Sequence, residues 1–172
     1  IPDGVIINPK QPGCPYPYKE LCGCGVGYKL IQALQRTFGL PKKTIKKGLD
    51  LVGVATIADI VPLLDENRVL VTGGIASIQR CRRVGLLALM RECQLTAANI
   101  NSSAIGYTLS PRINAAGRMG QVHLAAELFL TRDPDTAAVL AASLCRLNRQ
   151  RQAIEAEIYA DATAMLAGET DL

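Results

Sequence analysis

The sequence predicts a mostly α-helical chain with one or two short strands. Three observations lead there. Apolar residues at Leu140, Leu144, Leu147, Ile154 and Ile158 recur at three-four spacing, the mark of a helix burying one face. Helix-start residues stand ahead of apolar stretches at Asp65, at Thr96 and at Asp133-Pro134. A β-branched run, Val5-Ile6-Ile7, is followed by a proline block (Pro9, Pro12, Pro15, Pro17) that excludes helix.

Taken in order, Val5-Ile6-Ile7 reads as a short buried strand stopped by Asn8-Pro9, and residues 9–20 as an ordered loop. Gly23-Cys24-Gly25-Val26-Gly27 leads into a helix from Tyr28 that ends near Gly39-Leu40-Pro41. The run from Asp50 to Asp59 is apolar almost throughout; periodicity cannot separate buried strand from buried helix, and helix is preferred. Asp65 caps a helix from Glu66 to about Gln79 despite Gly73-Gly74, and Arg80 to Arg83 make a basic turn. Val84 to Glu92 form a short amphipathic helix, and Thr96 caps the next, through Ile100 to Leu109. Pro111 breaks that helix, leaving Pro111 to Arg118 as a loop or broken turn. His123 to Leu130 is helical, and the helix capped by Asp133 runs to about Leu166.

Composition narrows the function classes. With 172 residues, half of them apolar, the chain has material for a core and is not a disordered segment. No Trp, two Phe and five Tyr are too few rings for a protein that grips single strands mainly by base stacking. A net charge of +4 is compatible with a polyanionic partner without demanding one. The basic residues cluster at Lys42, Lys43, Lys46 and Lys47, at Arg80, Arg82, Arg83 and Arg91, and at Arg146, Arg149 and Arg151; solvated faces are the commoner meaning of such runs. Six cysteines do not make a zinc site, because Cys14, Cys22 and Cys24 lack its paired spacing. No signal peptide precedes them, so buried free thiols of a cytoplasmic protein are the reading. No run approaches the roughly 20 apolar residues of a membrane span. The chain opens at Ile1-Pro2-Asp3 without Met and closes just past a helix, which reads as a cut piece.

Two places could carry chemistry. Asp59 ends an apolar stretch where an unpaired carboxylate is costly to bury. It needs a partner: a divalent cation, or the commoner alternatives of capping the next turn or pairing with an arginine. Arg112 and Arg118, with Asn114 and the small Ala115-Ala116-Gly117 between them, could clamp phosphate oxygens, or could form a corner whose arginines cap helix ends. Arg151 interrupts the apolar stripe of the last helix, as a snorkelling side chain or a charge held for a ligand. The lone His123 reads as a surface or half-buried residue, and the glycines at 23, 25 and 27 lack the context of a dinucleotide site.

At these residues the chain becomes recognisable. Asn8-Pro9, Pro12-Gly13-Cys14-Pro15-Tyr16-Pro17 and Leu21-Cys22-Gly23 resemble the stretch that follows the Asp-His-His signature in the RecJ family of the DHH phosphoesterase superfamily. Ala55-Thr56-Ile57-Ala58-Asp59-Ile60-Val61-Pro62-Leu63 is similar to that family's fourth motif. Glu66-Asn67-Arg68, Pro111-Arg112-Ile113-Asn114-Ala115-Ala116-Gly117-Arg118 and Leu147-Asn148-Arg149-Gln150-Arg151 continue in family order. The one departure is Ser110, where the family usually has Gly.

The resemblance implies an α/β parent, with a parallel-sheet DHH catalytic domain joined by a helix to a second domain. Residues 1–64 would end the catalytic domain, 65–95 connect, and 96–172 begin the helical second domain. It implies a bacterial, cytoplasmic exonuclease that degrades single-stranded DNA from the 5′ end with Mn2+ or Mg2+, in repair and recombination. A monomer, with a single-strand-binding protein as partner, goes with it. Asp59 would be a metal ligand, and Arg112, Asn114 and Arg118 would contact phosphate, with Arg68 and Arg151 as secondary candidates. The family's other metal-binding motifs would lie outside this chain, so the segment alone is expected to be inactive. The rivals are a DHH phosphodiesterase of oligonucleotides or cyclic dinucleotides, a non-catalytic DHH scaffold and a helical interaction module.

Overall fold

The computed structural model describes residues 3–80 and 82–168. Expectations attached to Ile1-Pro2, Cys81 and Glu169 to Leu172 lie outside the described residues. The helices are α1 (Gly23–Phe38), α2 (Lys42–Lys46), α3 (Leu49–Ala58), α4 (Asp65–Ile78), α5 (Val84–Glu92), α6 (Ser102–Ala104), α7 (Ser110–Arg118), α8 (Val122–Leu130) and α9 (Pro134–Gly168), with a π segment at Ile105–Leu109. The mostly helical expectation holds.

No strand occurs among the described residues. Val5-Ile6-Ile7 is irregular and solvent-facing, with Val5 97 % exposed. A β-branched run becomes a strand only when a neighbour completes its ladder, and none does so here.

Local signals account for most boundaries. α1 begins at Gly23, five residues ahead of the expected Tyr28, because the Cys22 sulfur accepts the Gly25 N–H at 3.3 Å and caps the glycine-rich turn. It ends at Gly39, in the left-handed region at φ 63°. Asp133 caps α9 as expected, accepting the Thr136 N–H at 2.8 Å. Asp65 does not cap α4; it is the first helical residue, at φ 40°, and no side chain caps that end. The cap of α6 is Asn101 rather than Thr96, through a 2.9 Å bond from the Ala104 N–H to its side chain.

Pro111 does not break the chain. α7 runs through it, because the π segment immediately ahead supplies the extra residue that relieves the clash of a proline ring with the preceding turn. The Ile105 carbonyl accepts both the Ser110 N–H and, at 2.8 Å, the Ser110 hydroxyl.

The chain divides into two compact units, residues 3–82 with 95–110 and residues 83–94 with 111–168 among those described. Within the first unit, α3 and α4 pack tightly on each other across residue 64. The first unit centres on Leu21, Tyr28, Val52 and Leu70, flanked by Tyr16, Tyr18 and Leu49. The second buries Leu86 and Leu89 of α5, Leu128 of α8, and Leu140, Leu144 and Leu147 of α9. The apolar stripe of α9 leaves the core after Leu147: Ile154 and Ile158 are exposed.

Candidate functional site

In the first unit, α3 buries Val52, Gly53, Val54 and Thr56 and then delivers Asp59 to solvent as its C-cap. The Asp59 N–H closes the helix on the Ala55 carbonyl at 2.9 Å. Its carboxylate takes neither alternative weighed from the sequence: among the described residues it makes no side-chain hydrogen bond or ion pair. Ile60 follows at φ 55° and 90 % exposed, a left-handed conformation that costs a β-branched residue about 1–3 kcal/mol.

The turn after Asp59 is held from two sides. The Pro62 carbonyl accepts from the Asn67 amide at 3.0 Å and lies 3.2 Å from the Tyr18 hydroxyl, which is equally close to the Leu64 carbonyl. Asn67 is fully buried, and its amide also donates to the Glu20 carbonyl at 2.7 Å. Glu66, at the start of α4, binds the Tyr16 hydroxyl at 2.7 Å and pairs with Lys29 of α1. Burial and the Glu66 bond hold the Tyr16 hydroxyl above its ordinary range. Burial draws Lys29 down, but Glu66 and Tyr16 more than offset it, so its ammonium is also held high.

Cys24, in the first turn of α1, lies close enough to feel both acids of α3. Its thiol is pushed up to about 11 by burial first, then by Cys22, Asp59 and Asp50. Asp50 is 5 % exposed. Neither Asp50 nor Asn67 was singled out from the sequence. Asp50 had a signal, an acid opening the same apolar run that Asp59 closes; Asn67 had only its place in the Glu66-Asn67-Arg68 family motif, since its partners are remote in sequence. Cys22 and Cys145 are buried free thiols as expected, whereas Cys24 is exposed.

In the second unit α7 sets the positions of the arginine motif. At about 100° per residue, Asn114 and Arg118 share one exposed face, while Arg112 points with the fully buried Ala115 and Ala116. The two arginines therefore do not form a clamp on one helix face. Ala115 and Ala116 are fully buried; of the three small residues only Gly117 is exposed, and a Cβ there would meet nothing within 4 Å. Arg112 lies near Cys93, whose thiol burial pushes up to about 12 against the pull of the Arg112 charge, with Cys145 adding to the rise.

Of the secondary candidates, Arg68 is exposed on α4. Arg151 is engaged by Glu155 at 2.5 Å, one turn along α9. His123 is exposed, as expected. Among the described residues no group of three or more His, Cys, Asp or Glu could hold a metal ion, so Asp59 fits a cation only as a single oxygen donor. No helix among them is long and apolar enough to cross a membrane.

No family model matches the chain. Similar proteins include the single-stranded-DNA-specific exonuclease RecJ of Bacillus subtilis (strain 168), 40 % identical over 96 % of this chain and 20 % of the relative. The protein of that name in Escherichia coli (strain K12) is 35 % identical over 94 % of this chain and 30 % of its own length. The crystal structure of RecJ from Thermus thermophilus in complex with Mg2+ superposes with a TM-score of 0.78 at 36 % identity, covering 86 % of this chain and 23 % of that one. Its complex with Mn2+ gives 0.77 at 36 % identity, over 88 % and 22 %. This chain thus spans between a fifth and three tenths of these curated relatives. Along most of its length, in both sequence and fold, the chain is similar to one segment of these RecJ proteins.

Proposed function

We propose that this chain is part of a metal-dependent exonuclease that hydrolyses phosphodiester bonds of single-stranded DNA from the 5′ end, in repair and recombination. Its relatives are named as single-stranded-DNA-specific exonucleases, and solved members hold Mg2+ or Mn2+. The observation that carries the reading to particular residues is the Asp59 carboxylate, exposed at the end of a buried helix with no side-chain hydrogen bond or ion pair among the described residues.

In this reading Asp59 gives one oxygen to the Mn2+ or Mg2+ ion, whose chemistry is to activate water and stabilise charge on the phosphate. The remaining donors come from residues outside this chain. Asn114 and Arg118, side by side on the exposed face of α7, bind the phosphate backbone and orient the strand. Arg112 adds positive charge from the packed face of the same helix, and Arg68 offers a further phosphate contact. The protein acts in the bacterial cytoplasm as a monomer, alongside a single-strand-binding protein.

The test is a single-turnover assay on 5′-labelled single-stranded DNA with Mn2+, using the full-length protein that contains this segment. Asp59→Asn is expected to abolish cleavage with the fold intact, and the segment alone to release no nucleotide. Undiminished cleavage by the variant would remove Asp59 from the chemistry. Clear exonucleolysis by the segment would overturn the division of metal donors.

A further inference from the structure

We propose that Asn67, assisted by Tyr18, is a positioning residue for Asp59: its buried amide ties the Pro62 carbonyl to the Glu20 carbonyl and so fixes the turn that presents the Asp59 carboxylate. This rests on the reading of Asp59 as a metal ligand.

The geometry of the amide is fully specified. Asn67 is 0 % exposed, and its nitrogen reaches Glu20 O at 2.7 Å and Pro62 O at 3.0 Å, so both amide hydrogens are used. Both partners are carbonyl oxygens, so the inverted amide would set oxygen against oxygen. In the orientation that remains, the Asn67 side-chain oxygen is buried with no hydrogen-bond partner. A buried acceptor without a partner destabilises the fold. An apolar residue of similar size would avoid that cost, and what it could not do is hold the two carbonyls.

The segment so held needs holding. Pro62 is bracketed by two non-glycine residues in the left-handed region, Ile60 at φ 55° and Asp65 at φ 40°. Such conformations persist only where the surroundings over-determine them. Apart from the backbone bonds that close α3 and open α4, the hydrogen bonds to this turn among the described residues are that of Asn67 and that of the Tyr18 hydroxyl, 3.2 Å from the carbonyls of Pro62 and Leu64. They arrive from α4 and from the proline-rich loop, elements far apart in sequence. Asp59 stands three residues before the stapled carbonyl, so slack at Pro62 reaches its carboxylate through Ile60 and Val61 alone.

The experiment compares Asn67→Leu, Tyr18→Phe and Asp59→Asn with the wild type in the full-length protein. Mn2+ binding is read by electron paramagnetic resonance titration, beside kcat and the KM for single-stranded DNA. Asn67→Leu is expected to weaken Mn2+ binding by about 10-fold or more and to lower kcat, as loss of support behind a metal ligand does. The KM for DNA should stay unchanged, a split that general loosening of the fold would not produce. Tyr18→Phe should shift Mn2+ binding in the same direction by less, and it carries the test if Asn67→Leu does not fold. Wild-type Mn2+ binding in Asn67→Leu, or in Tyr18→Phe where that variant decides, overturns the proposal while Asp59→Asn binds weakly. Wild-type binding in Asp59→Asn itself would overturn the ligand reading beneath it.

Discussion

Gly53 and Gly74 face each other where α3 crosses α4. A Cβ on Gly74 would stand 2.6 Å from the Gly53 Cα and 2.9 Å from the Leu49 carbonyl oxygen, distances that real side chains do not occupy. Alanine would favour the helix by about 1 kcal/mol over glycine. Here backbone would have to move to admit it, at about 1–3 kcal/mol or more. Gly74→Ala is therefore expected to lower the melting temperature. An unchanged or raised value would mean that the two helices can part freely. The same contact explains why Gly74 sits inside a helix at all.

A second glycine makes a sharper version of the same point in the other unit. A Cβ on Gly85 of α5 would fall 1.7 Å from the Leu128 carbonyl oxygen of α8. No rotamer change relieves a clash with backbone. Gly85→Ala should cost more than Gly74→Ala, at least about 3 kcal/mol, and chemical denaturation of both variants would rank them. The reverse order would show that α5 gives way on α8 more easily than α4 does on α3.

The Tyr16–Glu66–Lys29 cluster makes stability depend on alkaline pH. Tyr16 and Lys29 both have folded pKa values above their unfolded ones, so the folded state holds these protons more tightly. Their contribution is fully present below about pH 10 and is lost as pH rises through the raised values. Melting temperature is expected to fall more steeply above about pH 10, on top of the decline from about pH 9 that the raised Cys24 and Cys93 thiols bring, with a shallower fall in Tyr16→Phe and Lys29→Met. Lys29→Met should also cost about 1–3 kcal/mol at neutral pH by leaving Glu66 without its cation. Identical alkaline profiles in the variants and the wild type would remove the cluster as the cause.

What could be read from the sequence was what neighbouring residues decide. Asp133-Pro134 starts α9, and Val84 to Glu92 is a helix, because capping and periodicity act within a few residues. The Asp50–Asp59 run became a helix on the same grounds of length and burial. Pro111 misled, because the relief of its clash comes from the π segment and from two bonds onto the Ile105 carbonyl, which no local preference encodes. Asn67 was legible only as part of a family motif, since its amide meets Glu20, 47 residues away. Asp59 stood out as an acid ending an apolar run, where burial would demand a partner, and only the family resemblance pointed to a metal; its exposure follows from the helix ending there. The pairing of Arg112 with Arg118 assumed a loop; once the segment is helical, their spacing turns them apart.

That separation sets up the last prediction, on single-stranded DNA binding by the full-length protein. Arg118 is exposed beside Asn114, so Arg118→Ala should weaken binding about equally across sequences and reduce the salt dependence by about one phosphate contact. Asn114→Ala should weaken binding by less, with little change in the salt slope, since it removes no charge. Arg112 faces the packed side of α7 near Cys93, so Arg112→Ala should act on the unit itself. Removing that charge takes away the one influence holding the Cys93 thiol down, and its reaction with iodoacetamide at a given alkaline pH should slow. The decisive comparison is the salt slope of the two arginine variants. A larger loss of slope in Arg112→Ala than in Arg118→Ala would mean that the phosphate lies on the other face of α7, with Arg112 swung out to meet it.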